Sequence, residues 1–158
     1  MKFPAPTLLL FLAGLLGGCS TTREYSSSAT DVTVAPTGQT ASLEGTAWAL
    51  VRLQDEALVL PPNTRRPFIA FTTEGRMHGF TGVNRLGGQP RIDGSSISFG
   101  NVISTRMAGT SAAMAIEMRF LECLRIATAW RINGDRLDLL AEDRIVAIFN
   151  AIPNEEAE

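Results

Sequence analysis

The chain has 158 residues, 45% hydrophobic and 19% charged, with 14 basic and 16 acidic side chains. That length suits one domain and leaves little room for a second. The formal charge of −2 excludes the basic footprint of a nucleic-acid binder, two cysteines exclude a disulfide-dense scaffold, and a single histidine excludes a multi-histidine metal site.

Met1 to Cys19 reads MKFPAPTLLLFLAGLLGGC. Lys2, the only lysine, precedes an apolar run from Leu8 to Leu16 and then Gly17-Gly18. At about 1.5 Å per residue such a run spans roughly 13 Å of helix, against about 30 Å of bilayer hydrocarbon. Residues 1–18 therefore read as a cleaved signal segment and not as a membrane span. Leu16-Gly17-Gly18-Cys19 resembles the bacterial lipobox, which implies acylation of Cys19 and permanent attachment, since two or more acyl chains hold stably where one does not. Ser20 in place of the aspartate of inner-membrane retention implies the outer membrane, facing the periplasm. Loss of Lys2 leaves no lysine for Schiff-base or phosphate-loop chemistry. Residues 20–42, rich in serine and threonine and without apolar periodicity, read as a flexible tether with a reach of roughly 26 Å. The folded domain is expected over residues 43–150, and residues 151–158 as an acidic tail.

Within the domain the apolar residues alternate with period two. Thr46 to Leu53 reads as a strand with Trp48 and Leu50 on one face and Ala49, Val51 and Leu53 on the other. Pro67 to Thr72 is the next, turning at Glu74-Gly75 into Arg76-Met77-His78. Asp93-Gly94 separates Pro90–Ile92 from Ser96–Phe99, and Asn133-Gly134 separates Ala129–Ile132 from Arg136–Leu139. Both dipeptides suit type I′ hairpin turns, whose two central residues take positive φ. Ile145 to Phe149 follows Glu142-Asp143 as a last strand.

Ser111 to Arg125 lacks glycine and proline and is predicted to be helical, capped by Thr110 or Ser111. On a helical wheel Ala113, Ile116, Phe120, Cys123 and Leu124 share a stripe opposite Arg119, Glu122 and Arg125. One helix among strands predicts a mainly β fold, a small antiparallel β barrel of about seven or eight strands with one α-helix packed on it.

Gly79-Phe80-Thr81-Gly82-Val83-Asn84-Arg85-Leu86-Gly87 and Thr105-Arg106-Met107-Ala108-Gly109 resemble segments of the META domain, the HslJ-like envelope family. Leu43–Trp48 is similar to that family's opening strand, Glu117 with Phe120-Leu121 and Leu124 to its helix, and Leu137–Phe149 to its closing hairpin. The resemblance implies a small β barrel with one helix, an envelope location linked to stress, and no established catalytic activity. It also implies a departure. Relatives often carry cysteines where this chain has Val83 and Gly109, and these would pair.

The remaining polar residues offer little chemistry. Gly79, Gly82, Gly87 and Gly88 read as bulges and turns, because no helix follows to hold a phosphate. His78 has no aspartate, cysteine or second histidine at a spacing that makes a base or a metal ligand. Cys123, on the edge of the apolar stripe, reads as an inert core thiol. Glu117 lies nearer the apolar centre than any other charge on its helix, and a carboxylate there needs donors. Asn84 and Arg106 are the candidates for a structural polar network with Glu117; a solvated carboxylate, or a binding or catalytic one, are the alternatives. No catalytic residue, metal site or cofactor is expected. The expected function is that of a lipid-anchored, non-enzymatic envelope protein that binds or stabilises other envelope components, possessing a membrane partner through Cys19, an envelope protein partner and no nucleic-acid partner. The alternative is a carrier of a small apolar ligand inside the barrel.

Overall fold

The computed structural model describes residues 40–154; the expected signal segment, Cys19, nearly all of the tether and Glu155–Glu158 lie outside them. Every described strand, the helix and the core fall within the unit 36–158, which therefore carries its own hydrophobic core.

Among the described residues eleven strands and one helix follow in chain order: β1 Ala47–Leu53, β2 Glu56–Ala57, β3 Phe68–Phe71, β4 Met77–Phe80, β5 Arg85–Gly88, β6 Arg91–Asp93, β7 Ser96–Ser98, β8 Ile103–Ser104, α1 Ser111–Ile126, β9 Ala129–Asn133, β10 Arg136–Ala141 and β11 Arg144–Ile152. Ten of the strands form one antiparallel order, β6-β7-β9-β10-β11-β1-β3-β4-β5-β8, and β2 pairs with β1. The mainly β class with one helix is as expected. The strand number is higher, and the sheet is a curled half-barrel left open, since β6 and β8 end the order without pairing to each other. The extra strands are β2, β5 and β8, and β11 runs on to Ile152, past the expected boundary at Asn150.

The turns differ from expectation in one respect. Asp93 pairs with Ser96 and Asn133 with Arg136, so the loops are Gly94-Ser95 and Gly134-Asp135, with positive φ only at the glycine (56° and 60°). Positive φ at the first central residue alone is the requirement of a type II′ turn, not I′. Gln54 and Glu142 take the same place in the β1–β2 and β10–β11 turns, with φ of 53° and 55° and without glycine's freedom.

The concave side of the sheet holds Trp48, Leu50, Ile69, Phe71, Phe99, Leu137, Leu139 and Phe149, closed over by Phe120, Cys123 and Leu124 of α1. Leu53 joins Trp48 and Leu50 in the core, contrary to simple alternation. The β1–β11 register shifts between Leu50 and Arg52, and the bulge turns Leu53 inward. The buried indole of Trp48 donates Nε1–H to the Leu43 carbonyl at 3.2 Å, so its one polar atom is satisfied. The convex side carries a second, smaller cluster, in which buried Ala47, Phe68 and Ala70 pack with Phe80 and Ile152. Gly79 is needed where β4 crosses β3: a Cβ there meets the Phe68 carbonyl oxygen.

Candidate functional site

The described polar residues converge where the β4–β5 turn, the segment after β8 and the helix meet. Phe80 pairs with Arg85 across a four-residue turn, Thr81 to Asn84, in which Gly82 takes φ 101°. The Thr81 N–H donates to the Asn84 carbonyl and the Asn84 N–H to Thr81 Oγ1, both at 2.8 Å, so the turn is closed by its own first and last residues. α1 starts at its N-cap Thr110, whose hydroxyl accepts from the Ala113 N–H at 3.2 Å. Two turns on, the helix presents Glu117 to that loop.

Glu117 is 6% exposed, and its carboxylate is held entirely by neutral donors. Thr81 Oγ1 donates to Oε2 at 2.6 Å, and Asn84 Nδ2 reaches Oε1 and Oε2 at 3.0 Å each. Asn84 is the hub. Its Nδ2 also donates to the Met107 carbonyl at 3.2 Å, while Oδ1 accepts from the Met107 N–H at 2.7 Å and from Thr105 Oγ1 at 2.8 Å. Thr105 Oγ1 in turn accepts the Arg85 N–H at 3.1 Å. Both ends of the amide are satisfied, as a side chain only 1% exposed requires.

Of the three residues expected to form this network, Asn84 and Glu117 are joined and Arg106 is not. Thr105 and Met107 turn towards Asn84, so the residue between them in this extended segment faces away, and Arg106 is exposed without a bond to Glu117. Thr81 and Thr105, which the sequence reading passed over, supply the hydroxyls. Their signal was local: a threonine three residues before Asn84 is placed to close a turn by its side chain.

The other sequence candidates lie apart. His78 is exposed on the convex face, edge-on to Phe68 with ring centroids 6.4 Å apart, and its imidazole makes no hydrogen bond or ion pair among the described residues. Cys123 is fully buried, its Sγ donates to the Val146 carbonyl at 3.1 Å, and burial pushes the thiol above its ordinary range. Among the described residues no group of three His, Cys, Asp or Glu side chains is placed to hold a metal ion. Val83 and Gly109, the positions at which the family resemblance implies a cysteine pair, are neighbours: a Cβ on Gly109 lies 3.5 Å from the Val83 Cβ, the separation a disulfide spans.

Comparison with known proteins places this architecture. Solved structures with the same fold include an NMR structure of a protein from Burkholderia xenovorans, 23% identical, covering 70% of this chain and 83% of its own, with a TM-score of 0.56. A crystal structure of a DUF4847 family protein from Bacteroides vulgatus is 14% identical over 69% of this chain and 93% of its own, with a TM-score of 0.50. No curated protein matches the chain. The family model of the META domain matches residues 41–152, a stretch that takes in the whole sheet, the helix and the Thr81–Asn84–Glu117 cluster, and the chain belongs to the META domain family.

Proposed function

We propose that the protein is a lipid-anchored, non-enzymatic component of the bacterial cell envelope, held through Cys19 at the periplasmic face of the outer membrane, and that it binds or stabilises other envelope components. The observation that carries this reading is the order of residues at the N-terminus: one cation, a short apolar run and Leu16-Gly17-Gly18-Cys19. A structural role is supported by the polar cluster. Its carboxylate is enclosed, its amide hub is saturated by Glu117, Met107 and Thr105, and its bonds run between three chain segments. A group committed in this way fixes geometry; a general base needs a lone pair that a substrate reaches. The interior is filled by Trp48, Phe71, Phe99, Phe120 and Phe149, which speaks against an apolar ligand carried inside the half-barrel.

Two measurements test the reading. Expressed in a diderm host, the wild-type chain incorporates labelled palmitate and sediments with outer-membrane vesicles, whereas Cys19→Ala does neither. An unlabelled wild-type chain, or a Cys19→Ala chain that still sediments, overturns the anchor. Crosslinking in the intact envelope is expected to capture a defined envelope partner of the wild-type protein. A turnover abolished by Glu117→Gln in a variant that remains folded overturns the non-enzymatic role.

A further inference from the structure

The convex face of the sheet has a chemistry that the concave face lacks. Across the strands, Arg85, Phe80, Phe68, Ala49 and Asn150 stand in one row by register, and His78, Ala70, Ala47 and Ile152 in the next. Three shallow grooves follow one another over these rows. The largest, about 420 Å³, has a floor of Ala49, Val51, Phe68 and Ile152, with Arg65 and Arg66 on its wall. That volume is within the usual range for small-molecule sites.

Charge decides what such a groove accepts. Among the described residues Arg65, Arg66, Arg85 and His78 line the three grooves and no aspartate or glutamate does, although acids outnumber bases in the chain. Arg65 lies over the rings of Phe68 and Phe80, at 5.5 and 5.6 Å from their centroids, so the cation and the apolar surface form one wall. Arg66 donates Nη1–H to the Leu50 carbonyl at 3.0 Å and makes no ion pair among the described residues. A guanidinium has five N–H donors, so Arg66 is anchored by one and keeps the rest for an anion. The floor lies in mid-sheet, where β1, β3 and β11 are already paired with one another. It offers no strand edge to an extended peptide, and recognition falls to small apolar side chains and a cation.

We propose that the groove between β1, β3 and β11 binds a single-chain anionic amphiphile, the tail lying on Ala49, Val51 and Ile152 and the head meeting Arg66. The site lies outside the packed core and owes nothing to the Glu117 cluster or to lipid on Cys19.

The test uses the lipid-free chain beginning at Ser20, which retains the whole unit with its core. Methyl and amide NMR shifts are followed on addition of dodecanoate, dodecan-1-ol or dodecyltrimethylammonium, each below its micelle concentration. Dodecanoate is expected to move the Val51 and Ile152 methyls and to bind about tenfold more tightly than the alcohol, with the cation weakest. Arg66→Gln, at an exposed position, erases that preference and leaves alcohol-level binding. Val51→Phe fills the groove and abolishes both. Equal affinity for acid and alcohol, shifts centred elsewhere, or an Arg66→Gln variant that keeps the preference overturns the proposal. Binding to phosphatidylglycerol vesicles without binding of monomeric dodecanoate also overturns it, and marks the face as a bilayer-docking surface instead. Because no lipidated residue is present, none of these outcomes bears on the anchor at Cys19.

Discussion

Glu117 and Asp138 are buried to nearly the same depth, 6% and 4% exposed, and are held in opposite ways. Asp138 projects from β10 on the convex side and receives two guanidinium bonds, from Arg131 Nε at 3.0 Å and Arg136 Nε at 2.6 Å. Both arginines are close by in sequence, one on the same strand and one directly across on β9, and both are half-exposed. Among the described residues Glu117 has no cation partner. Its donors come from residues 33 and 36 positions away, and through Asn84 they tie in a third segment at Met107. Charge alone therefore does not tell which carboxylate matters to the fold. Asp138 neutralises a local pair of strands, with partners that water can replace, whereas Glu117 and Asn84 lock a tertiary junction from which water is excluded.

Asn84→Asp breaks the contrast most severely. It is nearly isosteric, but it sets an oxygen against the Glu117 carboxylate and removes the donor to the Met107 carbonyl. Leaving a buried charge without its donor beside a like charge costs on the order of 3–5 kcal/mol. Urea denaturation at pH 7 is expected to show a loss of that size or an unfolded chain, while a loss under about 1 kcal/mol means that the junction is wet and the polar cluster is not structural.

Val83→Cys with Gly109→Cys sharpens the same contrast by giving the Glu117 junction a covalent link. A Cβ at position 109 meets Val83 Cγ2 at 2.7 Å, so Gly109→Ala alone is overpacked and destabilising, and cutting Val83 back relieves it. With cysteine at both positions the crowding becomes bonding distance. Closing the intervening loop should stabilise the oxidised domain by about 3 kcal/mol. Peptide mapping without reductant is expected to show the 83–109 bridge, with Cys123 left reduced because its buried thiol is held protonated. Two free thiols at 83 and 109 contradict the packing of the β4–β5 turn against the helix entry.

How much of this could be read from the chain follows the range of each interaction. The inward angle of Glu117 is a matter of helical period, and the wheel places it correctly. The identity of its partners is not local, and the rule that a buried carboxylate attracts a cation pointed to Arg106, whereas hydroxyl and amide donors suffice once enough of them converge. Strands flanking glycine turns were legible, but Arg85-Leu86-Gly87-Gly88 hides β5 because two of its four residues are poor strand formers. The inward turn of Leu53 depends on a bulge, which shifts alternation without marking the sequence. Whether the sheet closes depends on β6 and β8 meeting, and no pattern within either strand encodes that distance. The Asp138 clamp was within reach of a period-two reading, since Arg136 and Asp138 share a strand face.

Asp138→Asn breaks the other side of the comparison, and gently. The two arginines lose a charged acceptor but turn their exposed ends into solvent, so the expected cost is about 1 kcal/mol, a small fraction of the Asn84→Asp effect. It should shrink further in high salt, in which the Glu117 junction, having no cation to screen, stays unchanged. A salt-independent loss above about 3 kcal/mol makes Asp138 a tertiary lock as well and removes the distinction.

The smallest effect comes from the turn that closes the same hairpin. Glu142 adopts φ 55° between β10 and β11, a conformation in which a side chain is strained and glycine is not. Glu142→Gly therefore stabilises by about 0.5–1 kcal/mol, net of the extra freedom glycine gains when unfolded. The side chain of Glu142 takes no part in the Asp138 clamp, so this gain should add to the Asp138→Asn loss within about 0.5 kcal/mol. Strong non-additivity in the double variant means that the clamp and the turn set the β10–β11 register together. Asp138 then holds more of the sheet than its two neighbouring arginines indicate, and the line between a local and a tertiary carboxylate has to be redrawn at β11.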